Sequence, residues 1–360
     1  MILVVDYNIK NVKIWGFGKG RGKGFLPCAV KDADEVNNDM VLKKWIRGVT
    51  GRHNLEAIYF RVLFGGDYFK RPVPVNDKFF ERFMRLTDFF PFYVPSACAV
   101  MKRFRDIYGH TPIIAFFETS FFLKLPDTEK YYAMPFEYYQ DDNIKKWGFH
   151  GIFHEASAYL VPAKSKNISM VFDKQTTVCS IYNRKPFSIS LGYTPLEGIM
   201  SRTSCGDMDP GIVFYLMNIR NYSMYAIDEL LKNKSGFVGL TGYDIDLGDM
   251  IKLYGRDSKI DLAFEVYCNQ IIKHIGDGIS VMGGLDNVVI AGKNIDILTP
   301  IIHKVLKKIS FLGINLISLP WDKKMKTARI TSETSTINVY LNRAGLSDII
   351  CQAACGYFSR

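Results

Sequence analysis

Short apolar runs separated by polar turns set the first pattern in the chain. The opening "MILVVDYNIKNVKIW" is apolar until Asp6 interrupts it, and it reads as a buried first strand. Glycine then falls at every second position from Gly16 to Gly24 in "GFGKGRGKGF". That spacing predicts a hairpin tip, and it lacks the order of glycines followed by Lys-Ser/Thr that marks a P-loop. Between residues 167 and 192, "ISMVF", "TVCSIY" and "FSISL" are divided by "DKQT" and "NRKP", which predicts three strands joined by two turns. Helical periodicity follows in "AIDELLKN" and "DLAFEVYCNQIIKHI". Both halves thus begin with strands and pass into helices, as a duplicated α/β pair would. No low-complexity linker divides them, so a cleft is expected between them rather than a flexible joint.

Composition narrows the class. A chain of 360 residues exceeds one ordinary core and implies two domains. With 48% hydrophobic and 23% charged residues it reads as globular. No apolar run is long enough to span a bilayer, and no small-residue cleavage site follows the apolar start, so neither a membrane span nor a secretory signal is expected. Seven scattered cysteines, an odd number, suit a reducing compartment and a cytoplasmic location. The formal charge of +10 is spread among acids, and even the densest patch, "KKMKTAR" from Lys323 to Arg329, predicts a solvated surface rather than a nucleic-acid groove.

Five stretches concentrate candidate chemistry. "FRVLFGGDYF" carries Arg61 on a strand before a Gly65-Gly66 turn. In "IIAFFETSFF" the apolar run ends on Glu118, which is costly to bury unless it is paired or working. Capping of the next helix by Glu118, Thr119 and Ser120 is the plainer alternative. "KWGFHGIFHE" holds His150 and His154 four apart, a weak zinc pattern with Gly151 between them. Cys351 and Cys355 in the last helix read as core rather than as metal ligands. "TPLEGIMSRTSCGDMDPG", residues 194–211, is a patterned loop between two apolar elements.

In order along the chain, "FRVLFGG", "FFETSFFLKLPD", "KWGFHGIFH", "SLGYTPLEGIMSRTSCGDMDPGIVFYLM", "SGFVGLTG" and "LDNVVIAG" resemble successive blocks of the acetokinase family, which comprises acetate kinase and its propionate and butyrate kinase relatives. The resemblance covers roughly residues 55 to 340. It implies a duplicated ribonuclease-H-like fold of the actin and sugar-kinase superfamily, an active site in the interdomain cleft, and a homodimer. Its expected domains are residues 1–121 plus 334–360 and residues 122–333. It implies phosphoryl transfer between ATP and a short carboxylate, which needs in-line placement, cations around the transferring group and a metal on the phosphates.

Residue by residue, the resemblance gives Arg61 to the carboxylate substrate, His150 to the phosphoryl group in flight and Glu118 to the family's catalytic Asp, one methylene longer. Asp6 stands for the metal-associated Asn, Lys13 is kept, and Glu333 matches the metal-binding Glu, with Thr334 where a second Glu usually follows. Mg²⁺ is therefore the implied metal. The glycine-rich phosphate turns are replaced by "DYNIKNVK", "VFDKQTT" and "GKNID", leaving Lys174 and Gly292 as phosphate-side candidates. Without those glycines the backbone cannot approach phosphate as closely, so ATP binding in the family's manner is not expected. In the central loop the family's arginine is Ser204, and the loop's only arginine is Arg202. These residues predict an acetate kinase-like phosphotransferase that is catalytically impaired or inactive, kept for binding an unidentified protein partner or for assembly. The alternative is an active short-chain acyl kinase with another phosphoryl donor such as pyrophosphate, its ligands a short carboxylate or phosphate.

Overall fold

A computed structural model describes residues 1–8, 11–17, 30–32, 39–50, 55–292, 295–318 and 325–358. The chain divides into two compact units, residues 1–123 with 345–360 and residues 124–344. Each unit is built on one mixed sheet, with the same strand plan in both.

The first sheet contains β1 (Ile2–Asn8), β2 (Asn11–Phe17), β3 (Val30–Asp32), β4 (Ala57–Val62), β5 (Val73–Pro74) and β6 (Ile113–Phe117). Its order is β3-β2-β1-β4-β6-β5. An antiparallel meander β1-β2-β3 is followed by β4 and β6 parallel to β1, with the short β5 antiparallel at the edge. Every residue of β4 and β6 is buried, which is what parallel strands covered on both faces require. The helix Tyr93–Ile107 buries Val94, Ala97, Cys98, Met101 and Phe104 at helical spacing and packs against β1. The helix Asp77–Met84 is capped by the Asn76 side chain, which accepts from the Phe79 N–H. It buries Phe79, Phe80 and Phe83, and Phe79 and Phe83 join Phe69 and Phe117 in one aromatic cluster. The C-terminal helix Leu346–Phe358 returns to pack on β1 and β4.

The second sheet repeats this plan with β7 (Lys166–Phe172), β8 (Thr176–Tyr182), β9 (Lys185–Ile189), β10 (Asn287–Gly292), β11 (Thr327–Arg329) and β12 (Asn338–Asn342). Its order is β11-β12-β10-β7-β8-β9. The meander β7-β8-β9 matches the strand series read from residues 167–192, and β10 and β12 run parallel to β7. The helix Ser258–Met282 packs on β7, β8 and β9 through Ile260, Phe264, Tyr267, Ile271 and Ile275, and ends at Gly283, whose φ of 68° lies in the left-handed region. Two meander-plus-parallel sheets in one chain are the duplicated ribonuclease-H-like α/β fold expected from sequence. Residues 334–344 were expected in the first domain. They fall in the second unit because β12 hydrogen-bonds along β10. The glycine-rich tip beyond Phe17, Lys293, and Lys323 and Lys324 of the basic patch lie outside the described residues.

Candidate active site

In the first unit, β1, β4 and β6 lie side by side and parallel, so their C-terminal ends form one edge. Ligands of open α/β sheets gather at such an edge. Asp6 and Arg61 are register partners across β1 and β4, and Lys13 is the partner of Asp6 across β1 and β2. All three therefore sit on one sheet face. Glu118 follows β6 directly, and its N–H is held by the Val62 carbonyl at 3.0 Å. Arg61 donates through Nε to Glu118 Oε1 at 2.5 Å and through Nη1 to Asp6 Oδ1 at 3.0 Å. Glu118 is fully buried, and Asp6 and Arg61 nearly so.

Three charges in so dry a place persist only as a hydrogen-bonded set. The loop behind them is pinned as well. The Gly65 N–H donates to Thr119 Oγ1 at 3.0 Å, and the Leu63 N–H to Tyr93 Oη at 2.8 Å. Burial, its largest influence, pushes the Tyr93 phenol well above its usual range, so it stays neutral. Glu118 pairs with Arg61, Thr119 accepts from Gly65 and Ser120 donates to the Phe117 carbonyl.

In the second unit, His150 precedes the helix Gly151–Tyr159 with φ of 61°, an unusual left-handed conformation for a side-chain-bearing residue. His154 lies one turn on, so both rings leave the same side of the helix. Beneath them, Ser169 of β7 and Thr177 of β8 share a sheet face by register. Thr177 Oγ1 is 3.1 Å from His150 Nδ1 and 2.9 Å from His154 Nε2, and Ser169 Oγ is 2.8 Å from His154 Nδ1. His150 Nε2 faces Asp173 Oδ2 at 3.9 Å. The neighbouring Thr176 points the other way and meets Tyr267 Oη at 2.5 Å. The two histidines bind hydroxyls, and the zinc pattern is not realised: no group of three or more His, Cys, Asp or Glu able to hold a metal occurs among the described residues.

A cleft of about 560 Å³ opens beside this network, within the size range of small-ligand sites. Asp173 and Lys174 from the β7–β8 turn and Thr176 at the start of β8 line it, with Ser201 and Arg202 from the patterned loop and Tyr267 from the long helix. The loop is closed by Asp207, whose N–H donates to the Gly198 carbonyl at 2.7 Å while its Oδ1 accepts from the Gly198 N–H at 2.5 Å. The long helix anchors it, through Gln270 on the Met200 N–H and His274 on Asp207. Burial works to raise the Asp207 carboxyl, but the bonds from His274 and Gly198 outweigh it and hold the group below its usual range.

Ser204 is buried. Its hydroxyl lies 2.7 Å from that of Ser201, and its carbonyl accepts from the Ser201 N–H. Arg202, at the cleft wall, is ion-paired with Asp244. Gly292 ends β10, where a side chain would come within 2.3 Å of the Phe172 carbonyl, so packing alone requires glycine there. Glu333 sits in the turn before β12, in the second unit, whereas Asp6 is in the first.

A profile of the Acetokinase family matches residues 23–351. The chain belongs to the acetokinase family. Among its relatives, an acetate kinase of Dictyoglomus turgidum is 31% identical over 326 residues, covering 88% of this chain and 80% of that one. An acetate kinase of Clostridium botulinum is 28% identical over 342 residues, covering 90% and 84%. The fold is that of the Porphyromonas gingivalis acetate kinase, with TM-score 0.87 over 99% of both chains at 21% identity. It is also that of a propionate kinase from Francisella tularensis, with TM-score 0.80 over 98% of both at 23% identity.

Within this acetokinase-family chain, structure groups the candidates read from sequence into two sets. Asp6, Arg61 and Glu118 form one cluster, with Lys13 on the same sheet face. His150, Lys174, Arg202 and Ser204 fall around the histidine network and the cleft. Asp6, which the resemblance gives to the metal, accepts from Arg61 at 3.0 Å, and Mg²⁺ commonly takes only one or two protein carboxylates, the rest of its shell being water and phosphate oxygen. Sequence reasoning missed Thr177, Ser169, Asp173 and Asp244. The paired threonines "TT" at 176–177 were the only local signal, since adjacent strand positions must face opposite sides.

Proposed function

We propose that the protein is an acetokinase-family phosphotransferase directed at a carboxyl group, with phosphoryl transfer slowed by the missing loop cation. The observation that carries this reading is the state of the central loop. Position 204 is a serine bonded to Ser201, and the loop's only arginine is paired with Asp244. A cation aimed at the transferring phosphoryl group is worth about 10³–10⁵ in rate. Arg61 is the group suited to a short carboxylate, because its planar fork already grips two carboxylates. His150 is the candidate donor to a phosphoryl oxygen.

The test is acyl phosphate trapped with hydroxylamine, from acetate or propionate with Mg²⁺ and either ATP or pyrophosphate. Slow turnover is expected, raised tenfold or more by Ser204→Arg, and lost in Arg61→Lys, which keeps the charge but not the fork. Turnover at the roughly 1–100 s⁻¹ usual for kinases, unchanged by Ser204→Arg, would overturn the reading. A second reading, transfer from a donor other than ATP, is favoured by Lys174 at the cleft wall, a point charge where the family has backbone amides. It predicts faster turnover with pyrophosphate than with ATP. We also assign a second copy of the chain as the partner covering the apolar stretch that follows the loop.

A further inference from the structure

We propose, resting on the phosphotransferase reading above only for what the proton is used for, that His154 is a positioning residue: acting through Thr177, it holds His150 with its proton on Nε2. Thr177 has one hydroxyl hydrogen and lies within hydrogen-bond distance of a nitrogen from each ring, at 3.1 Å from His150 Nδ1 and 2.9 Å from His154 Nε2. It gives that hydrogen to one ring and accepts from the other. Two arrangements follow. If Thr177 donates to His150 Nδ1, then His154 donates from Nε2, and both rings are Nε2–H. If His150 donates from Nδ1, Thr177 donates to His154 Nε2, and both rings are Nδ1–H. Two neutral rings joined in this way carry the same tautomer.

Ser169 completes either arrangement, as donor to His154 Nδ1 in the first and acceptor from it in the second, at 2.8 Å. The Asp173 carboxylate, 3.9 Å from His150 Nε2, selects the first, because it favours a proton on that nitrogen. His154 is suited to the task because it stays uncharged: burial foremost, and then the charge of His150, push its pKa well below the ordinary range. A neutral, fully buried imidazole between Ser169 and Thr177 transmits orientation without titrating. The result is an Nε2–H on His150 held ready for a phosphoryl oxygen, and a reason for this chain to bury a second histidine one turn beyond the first.

Long-range ¹H–¹⁵N correlation spectra of the full chain, labelled at its six histidines, read each ring's tautomer directly. Assignments come from His150→Asn and His154→Asn, and spectra are taken above the imidazole titration range. Both rings are expected as Nε2–H in the unaltered chain. Asp173→Asn is expected to move both rings together toward Nδ1–H or a mixture, Thr177→Val to uncouple His154 from His150, and Thr177→Ser to restore the shared tautomer. Rings in opposite tautomers, both rings Nδ1–H, or a His154 tautomer indifferent to Thr177→Val would each overturn the proposal. The first two are read from the unaltered chain, so they stand even if the valine variant fails to fold. Where acyl phosphate forms, Thr177→Val should lower kcat about tenfold with KM for the carboxylate unchanged. Shared Nε2–H tautomers in a protein that forms no acyl phosphate would sink the phosphotransferase reading and support the coupling.

Discussion

At the scale of single residues, the buried charges make the firmest predictions. Removing the Arg61 guanidinium would leave Asp6 and Glu118 as buried carboxylates without the cation between them. Arg61→Ala should therefore cost about 3–5 kcal/mol of stability, measured by denaturant unfolding, whereas a surface arginine to alanine costs well under 1 kcal/mol. His154 supplies a pH dependence. Its folded pKa lies well below its ordinary 6.5, so the unfolded chain takes up a proton there before the folded one does. Stability from this group is complete above about pH 6.5 and declines as pH falls, by at most about 1.4 kcal/mol per pH unit. A His154→Gln variant should show a flatter loss of unfolding midpoint between about pH 7 and pH 5 than the unaltered chain; an equally steep loss would place the titrating group elsewhere.

At the scale of elements, backbone conformation separates glycines that composition treats alike. Gly236 opens the helix Gly236–Thr241 at φ of +63°, and a Cβ there would lie 2.1 Å from the Ser201 carbonyl and 2.8 Å from that of Ser204. Gly276 lies inside the helix Ser258–Met282, where an added Cβ would meet nothing within 4 Å. Gly236→Ala should lower stability by about 1–3 kcal/mol and loosen the loop that carries Arg202, while Gly276→Ala should raise it by about 0.5–1 kcal/mol. Thermal melts of the two variants moving in the same direction would refute the assignment.

The same contrast explains what sequence could and could not show. The runs in β4 and β6 were legible because strands buried on both faces are largely apolar, and Glu118 stood out as a carboxylate ending such a run. Thr177 and Ser169 were not, since a hydroxyl in a strand acquires its meaning from register with another strand and from the helix laid over it. The Arg202–Asp244 pair spans 42 residues and leaves no local trace. The resemblance put residues 334–344 in the first domain with the C-terminal helix, because nothing local in a strand's sequence says which neighbour it pairs with.

At the scale of the whole molecule, the helix Gly211–Asn218 poses the clearest problem. Its sequence, "GIVFYLMN", is among the most apolar in the chain, yet it buries none of its residues. Along this helix and the stretch that follows, Ile212, Phe214, Tyr215, Ile219, Tyr222, Met224 and Tyr225 are all exposed, with Phe214 at 62%, Ile219 at 65%, Met224 at 67% and Tyr225 at 79%. So many large, exposed apolar and aromatic side chains along one stretch mark an interaction surface rather than an ordinary solvated face. Seven apolar side chains on one stretch of chain match a copy of themselves across a two-fold axis, the commonest arrangement of soluble oligomers. Light scattering on the full chain should therefore report a dimer, and Phe214→Glu, which places like charges opposite each other at such an axis, should report a monomer. Tyr68→Glu, at an exposed aromatic in the other unit, should leave the dimer intact. A monomeric unaltered chain, or a dimer indifferent to Phe214→Glu, would show that this face has a different occupant.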